Sequence, residues 1–267
     1  MITNLLRQIF AIYALIVFLP TLVIAYLAYV IVINFSKADK VLQRTHKVSS
    51  WWAKIYYSLI FIRIKISNRN MYSHNGVHVF ICNHRSLLDV PVWAYACLQP
   101  VRFLSKAELT NVPVFGYVLK RVYITVDRND KNDRLKSISK MKKALEQGVS
   151  VFLAPEGTRN RSDKTLLDFK DGAFRLAVAA QAPIGILTLY NTDKLLSPSK
   201  LFSMRPGTIY GKWSMPVPTA GLLLIYLLKL DTIQIMNLQM EKLEKQVWQL
   251  IHCAIWKFCS KEFNLNK

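Results

Sequence analysis

The strongest constraint on this chain is an uncharged run of 29 residues, Gln8 to Ser36, bounded by Arg7 and Lys37. As one helix it would extend about 43 Å at 1.5 Å per residue, well beyond the roughly 30 Å of a bilayer's hydrocarbon layer. The run therefore predicts a membrane element. It is too long for the apolar region of a signal peptide, and no small-x-small cleavage site follows it. Pro20 divides it into arms of 12 and 16 residues. Two readings stay open: one kinked spanning helix, or a hairpin that dips into a single leaflet and returns. Lys37, Lys40, Arg44, Lys47 and Lys54 crowd the C-terminal flank, with only Arg7 and the amino terminus basic on the other side, which orients the rest of the chain toward the cytoplasm.

The next stretch, Trp51 to Ile66, mixes aromatic and aliphatic residues with Lys54, Arg63 and Lys65, the composition of a helix lying among lipid headgroups. The whole chain carries 36 Lys and Arg against 16 Asp and Glu, a net charge of +20, which implies a polyanionic partner: nucleic acid, an anionic membrane surface, or a phosphorylated or CoA-linked substrate. Yet 52% of its 267 residues are hydrophobic, which excludes a disordered basic tail and argues against a nucleic-acid binder in favour of anionic membrane lipids. Cys82, Cys97, Cys253 and Cys259 form no C-x-x-C pair, so neither a zinc ribbon nor a disulfide scaffold is expected.

From Val77 onward short apolar runs alternate with longer periodic segments, the pattern of an α/β domain. Strands are expected over Val77–Cys82, Arg102–Leu104, Val122–Val126, Val149–Ala154, Ile184–Leu189 and Thr208–Trp213. The clearest helix starts at Asp130 or Asn132 and runs to Glu146, closed by Gly148, and a last one covers about Asp231–Phe258. The apolar run Gly221–Leu228 is too short to span a bilayer. The division expected is residues 1–70 as a helical membrane anchor and 71–267 as an α/β domain.

Two segments can carry chemistry. In Asn83-His84-Arg85-Ser86-Leu87-Leu88-Asp89 the chain leaves a strand and enters a helix. On one continuous helix His84 and Asp89 would stand about 140° apart. With His84 in the turn and Ser86 as the cap, the imidazole folds back toward Asp89, which then keeps one ring nitrogen protonated and frees the other as a general base. In Pro155-Glu156-Gly157-Thr158-Arg159-Asn160-Arg161, Gly157 allows close backbone approach, and Arg159 and Arg161 supply forked donors for a phosphate, with Lys106 adding charge from a neighbouring strand end. His46, His74, His78 and His252 show no metal-ligand spacing.

These segments resemble the glycerophospholipid acyltransferases, most closely the bacterial 1-acyl-glycerol-3-phosphate acyltransferases, over about residues 75–190. The first block is Asn83-His84 with Asp89. The second runs through Lys106, Pro113, Phe115 and Gly116 to Asp127-Arg128. The third is Pro155 to Arg159, continuing through Phe169-Lys170-Asp171-Gly172-Ala173-Phe174. The fourth, Ala182-Pro183-Ile184-Gly185-Ile186, departs from the usual pattern in lacking a second proline. The resemblance implies a mixed central sheet flanked by helices, and transfer of an acyl chain from acyl-CoA or acyl-carrier protein to the free hydroxyl of a lysophospholipid. His84 would be the base and Asp89 its orienter. Backbone N–H groups near the start of the helix after His84 would meet the oxyanion. Lys106, Glu156, Gly157, Thr158, Arg159 and Arg161 would hold the acceptor, 1-acyl-sn-glycerol-3-phosphate, with no metal and no cofactor beyond the acyl donor. The rival reading within the same chemistry is another lysolipid acceptor, such as a lyso-ornithine lipid; a non-catalytic binder of anionic membranes is the rival outside it. The location expected is the inner membrane, with the catalytic domain on its cytoplasmic side.

Overall fold

The computed structural model describes residues 2–72, 76–200 and 202–219, and beyond them 241, 243, 245–250 and 252–253. The run Gly221–Leu228 and most of the helix expected over Asp231–Phe258 lie outside the described residues, as do His74 and Cys259.

The uncharged run forms one uninterrupted helix, α1 (Ile2–Phe35), with Pro20 inside it. It contains the one segment among the described residues long and apolar enough to cross a membrane. Ser36 and Lys37 then turn the chain into α2 (Ala38–Leu59), which runs back along α1. The pairing is antiparallel: Tyr29 Oη lies 2.7 Å from Ser49 Oγ, Phe18 packs on Trp52 and Tyr56, and Tyr13 Oη donates to the Leu59 carbonyl at 2.7 Å. Small residues Ala11, Ala14 and Ala25 let the helices approach. The opposite face of α1 is bare: Ile9, Ile12, Ile16, Ile24, Leu27 and Ile31 are all exposed.

The interfacial helix expected over Trp51–Ile66 stops at Leu59. After Phe61 the chain extends into β1 (Ile62–Ser67), a strand of the central sheet, so sheet structure begins inside the segment expected to be anchor alone. The reason is periodicity. Ile62, Ile64 and Ile66 alternate with exposed Arg63 and Lys65, a period of two that a helix cannot use.

The remaining strands are β2 (Val79–Cys82), β3 (Val101–Lys106), β4 (Ile124–Val126), β5 (Ser150–Leu153), β6 (Ile184–Tyr190) and β7 (Gly207–Trp213). The helices are α3 (Asp89–Ala96), α4 (Phe115–Val122), α5 (Lys131–Glu146), α6 (Gly172–Ala179) and the single turn α7 (Thr192–Leu195). Val122, expected to open a strand, instead closes α4. The seven strands lie in the order β1-β7-β6-β2-β5-β3-β4. All neighbours are parallel except β6 and β7, so the sheet is mixed, with helices on both sides.

Alternation within the central strands feeds two cores. Phe80, Cys82, Phe152, Leu187 and Leu189 face α2 and α3, where they meet Tyr57 and Trp93. Val79, Ile81, Val151, Ile184 and Ile186 face α5 and α6, where they meet Met141 and Phe174. Strands buried on both faces read as continuous apolar runs, which is why β2, β5 and β6 stand out in the sequence. Because β2 and β5 are parallel neighbours, with Ile81 opposite Leu153, the loops that leave their C-terminal ends emerge side by side.

Candidate active site

Asn83 closes β2 by a double clamp on β6: its amide donates to the Leu189 carbonyl at 2.9 Å and its oxygen accepts the Leu189 N–H at 2.8 Å. His84 follows and is fixed on three sides. Its N–H donates to Glu156 Oε1 at 2.8 Å, its carbonyl accepts the Asn160 N–H at 2.7 Å, and its ring lies edge-on to Trp93 with centroids 4.8 Å apart. Nδ1 lies 2.8 Å from Asp89 Oδ2. A carboxylate at this distance is matched by an N–H on Nδ1, and Nε2 has no partner among the described residues.

The turn is organised differently from expectation. Ser86 is not the cap: its hydroxyl donates to the Leu196 carbonyl at 3.0 Å and accepts the Leu88 N–H at 3.3 Å. Asp89, the first residue of α3, reaches back instead, and Oδ2 also accepts the N–H groups of Arg85 and Ser86, each at 2.7 Å. The N–H groups of Arg85, Ser86 and Leu88 are thereby committed, which removes them as oxyanion donors. A local hydrogen-bond demand explains the change, since a buried carboxylate at a helix start satisfies several orphan N–H groups where a serine hydroxyl satisfies one.

The loop after β5 faces this turn. Gly157 has φ +70°, the left-handed region, and its N–H returns to the Ala154 carbonyl at 3.0 Å. Glu156 was grouped with the acceptor-binding residues, but it is almost wholly buried and both oxygens are occupied, Oε1 by His84 N–H and Oε2 by Leu167 N–H at 2.9 Å. It braces the His84 turn. Burial raises its carboxyl above the usual range, opposed by those two N–H bonds. Lys106 is half exposed at the end of β3, with Nζ 2.7 Å from Glu108 Oε1. Thr158 is exposed.

Arg159 and Arg161 form no ion pair among the described residues. Arg159 is half-buried, and its pKa is lowered first by burial and then by the charge of Arg161, while Asp89 acts in the opposite sense. Arg159 thus lies within electrostatic reach of both Arg161 and Asp89, which act on it in opposite senses.

Four further residues shape the site without having been assigned a role from the sequence. Arg85 Nε pairs with Asp193 Oδ2 at 3.0 Å, and its Nη1 donates to the Lys164 carbonyl, tying the β2 turn to the segment beyond Arg161. Asn160 accepts from Ser162 and donates to the Lys164 carbonyl. Arg128 donates to the Gly157 carbonyl, and Trp93 flanks the imidazole. The signals were slight: Arg85 adjoins His84, Asn160 sits between two arginines, Arg128 belongs to the second motif block, and nothing local marks Trp93. Among the described residues no group of three or more His, Cys, Asp or Glu could hold a metal ion.

Residues 63–188, which contain both loops, match the acyltransferase family. The match spans 126 of the chain's 267 residues. The chain is 28% identical over 180 residues to a 1-acyl-sn-glycerol-3-phosphate acyltransferase of Chlamydomonas reinhardtii, covering 67% of this chain and 53% of that protein. It is 29% identical over 134 residues to one of Helicobacter pylori, covering 50% of this chain and 56% of that protein. The chain thus spans little more than half the length of these relatives. The crystal structure of the 1-acyl-sn-glycerophosphate (LPA) acyltransferase from Thermotoga maritima has the same fold, with a TM-score of 0.72 at 19% identity over 96% of this chain and 97% of that one. The mixed sheet flanked by helices is therefore a fold shared with that structure.

Proposed function

We propose that this protein transfers an acyl chain from the thioester of acyl-CoA or acyl-carrier protein to the free hydroxyl of 1-acyl-sn-glycerol-3-phosphate, giving phosphatidic acid. The observation that carries the reading is the His84–Asp89 pair set beside two unpaired guanidinium groups. Nε2 of His84 takes the hydroxyl proton as the oxygen attacks the thioester carbonyl. Asp89 stabilises the imidazolium that forms, with Trp93 against the ring. When the C–S bond breaks, the imidazolium returns its proton to the leaving thiolate. Arg159 and Arg161 hold the acceptor's phosphate monoester, and Arg128 fixes the Gly157 turn that carries them.

The acceptor is a membrane lipid, and the helical hairpin brings the site to it. The bare apolar face of α1 enters the cytoplasmic leaflet of the inner membrane. A perpendicular, spanning α1 would carry Lys47 and Lys54 of α2 alongside it into hydrocarbon, at a cost of about 3 kcal/mol each. An α1 lying in one leaflet keeps both at the surface.

The test is mass spectrometry of products from the purified protein given an acyl-CoA or the matching acyl-carrier protein, each with a panel of lysolipids. Phosphatidic acid as the main product supports the reading. A product from a lyso-ornithine or zwitterionic lysolipid in its place overturns the acceptor, and no acylated product from any lysolipid with either donor overturns the reaction.

A further inference from the structure

A cavity of about 620 Å³ opens where α2, β1, α3 and β7 meet, lined by Lys54, Ser58, Phe61, Arg63, Tyr95 and Thr208 among others. None of the residues of the His84 turn or the Glu156–Arg161 loop lines it. Its walls follow from the fold. Lys54 and Ser58 stand one turn apart on one face of α2. Arg63 and Thr208 are register partners on parallel neighbouring strands, so their side chains leave the same face of the sheet. Tyr95 is held in place by Arg69, whose guanidinium lies 4.0 Å from the ring centroid and donates to the Tyr95 carbonyl. Beneath, buried Tyr57 is tied to the Leu88 carbonyl at 2.5 Å.

Two observations say what the cavity takes. Lys54 and Arg63 come from different elements to one opening, and neither has a carboxylate partner among the described residues. Unpaired cations of this kind, beside a hydroxyl, suit a phosphate. Phe61 has φ +53°, a conformation strained for an aromatic residue, and it throws a ring that is 67% exposed out to the cavity rim. That ring stacks 6.3 Å from Tyr13 of α1, beside exposed Ile9, Ile12 and Ile16. One end of the opening is cationic, and the other is continuous with the apolar face of the long helix.

We propose that this cavity is an accessory site for the headgroup of an anionic bilayer phospholipid, separate from the acceptor site. Lys54 and Arg63 hold the phosphate diester, Thr208 contributes its hydroxyl, and the acyl chains pass Phe61 and Tyr13 onto α1. The bound lipid fixes the depth and tilt of the helical hairpin on an acidic membrane. The proposal rests on α1 meeting the membrane and is independent of acyl transfer.

The test is calorimetric titration of the detergent-solubilised full chain with dihexanoyl phosphatidylglycerol below its micelle concentration, with dihexanoyl phosphatidylcholine and inorganic phosphate as separate arms. Saturable binding of phosphatidylglycerol, surviving saturation with 1-acyl-glycerol-3-phosphate, is expected. Lys54→Ala with Arg63→Ala should weaken it at least tenfold while acyl transfer in neutral micelles stays at the parent level. Lys131→Ala with Lys136→Ala on α5 should leave it unchanged, as should the charge-preserving swap Lys54→Arg with Arg63→Lys, which guards against a folding defect in the alanine pair. Equal binding of phosphatidylcholine or inorganic phosphate overturns the proposal, as does equal loss in the α5 pair, retention in the alanine pair, or displacement by the lysolipid. Because binding is read without catalysis, a chain that acylates nothing still gives this result, and the two readings fail separately.

Discussion

Asp89 Oδ2 lies 2.8 Å from His84 Nδ1 and at the same time accepts the N–H groups of Arg85 and Ser86. One carboxylate oxygen therefore sets both the ring's tautomer and the path of the backbone that carries it. Ring and turn are a single unit, with Glu156 and Asn160 bracing its other side.

Substitution should separate chemistry from structure. His84→Ala removes the base and should lower turnover by about 10²–10⁴-fold, leaving melting temperature and vesicle flotation close to the parent. Turnover within a few-fold of the parent would end the base assignment. Asp89→Asn keeps an acceptor for the turn but loses the charge that stabilises an imidazolium, so it should be nearly as inactive yet more stable than Asp89→Ala, which strips three donors of their partner.

Acid should loosen the contact that α2 makes through His46. His46 on α2 is buried, with Nε2 3.0 Å from the Cys97 carbonyl and Nδ1 without a partner, and burial lowers its pKa below 6.5. His78 shifts in the same direction for the same reason. Between the folded value and 6.5 the unfolded chain holds more protons, so stability rises with pH across that window, is full above it, and is lost as pH falls. Melting temperature should drop from about pH 7 to pH 5, and His46→Gln should flatten the slope.

The deletion that separates anchor from domain is narrower than the sequence suggests. Removing residues 2–36 takes away α1 alone and should abolish flotation with liposomes. Removing residues 2–66 also takes Tyr57, Ile60 and β1 out of the core, and the product should fail to fold. Equal flotation of the shorter deletion would place the anchor elsewhere.

What the sequence showed and what it hid divide along physical lines. Both loops, the central strands and α5, with Asp130 capping it through a 2.8 Å bond from Asn132 N–H, were legible because burial on both faces and helix capping leave local marks. The edge strand β1 was hidden by its neighbours: Trp51 to Leu59 reads as an amphipathic helix, and nothing local announces that Arg63 pairs with Thr208 far along the chain. The task of Glu156 was hidden similarly, because a carboxylate beside a Gly-Thr-Arg turn reads as a ligand until the backbone N–H groups that occupy it are seen. Gly185 is an intermediate case. Its motif was visible, but its reason is contact across the sheet: an added Cβ would come within 2.4 Å of Phe80 Cδ1. Gly185→Ala should cost about 1–3 kcal/mol in a denaturant melt.

The acceptor's identity turns on Arg159. A guanidinium that is half-buried, repelled by Arg161 and unpaired among the described residues is poised for an anion. If that anion is the phosphate monoester of the lysolipid, Arg159→Ala should raise KM for 1-acyl-glycerol-3-phosphate about tenfold to a hundredfold, the loss of one charge-assisted bond worth roughly 1.5–3 kcal/mol. KM for acyl-CoA should change far less. Arg159→Lys should restore the affinity only in part, because an ammonium keeps the charge and loses the fork. Acceptors without a phosphate monoester should be poor for the parent and indifferent to the change. Steady-state kinetics with both substrates varied decides it: a shift confined to the acyl-CoA constant would move Arg159 to the donor's phosphates, and an equal loss with a zwitterionic lysolipid would make it a brace for the loop.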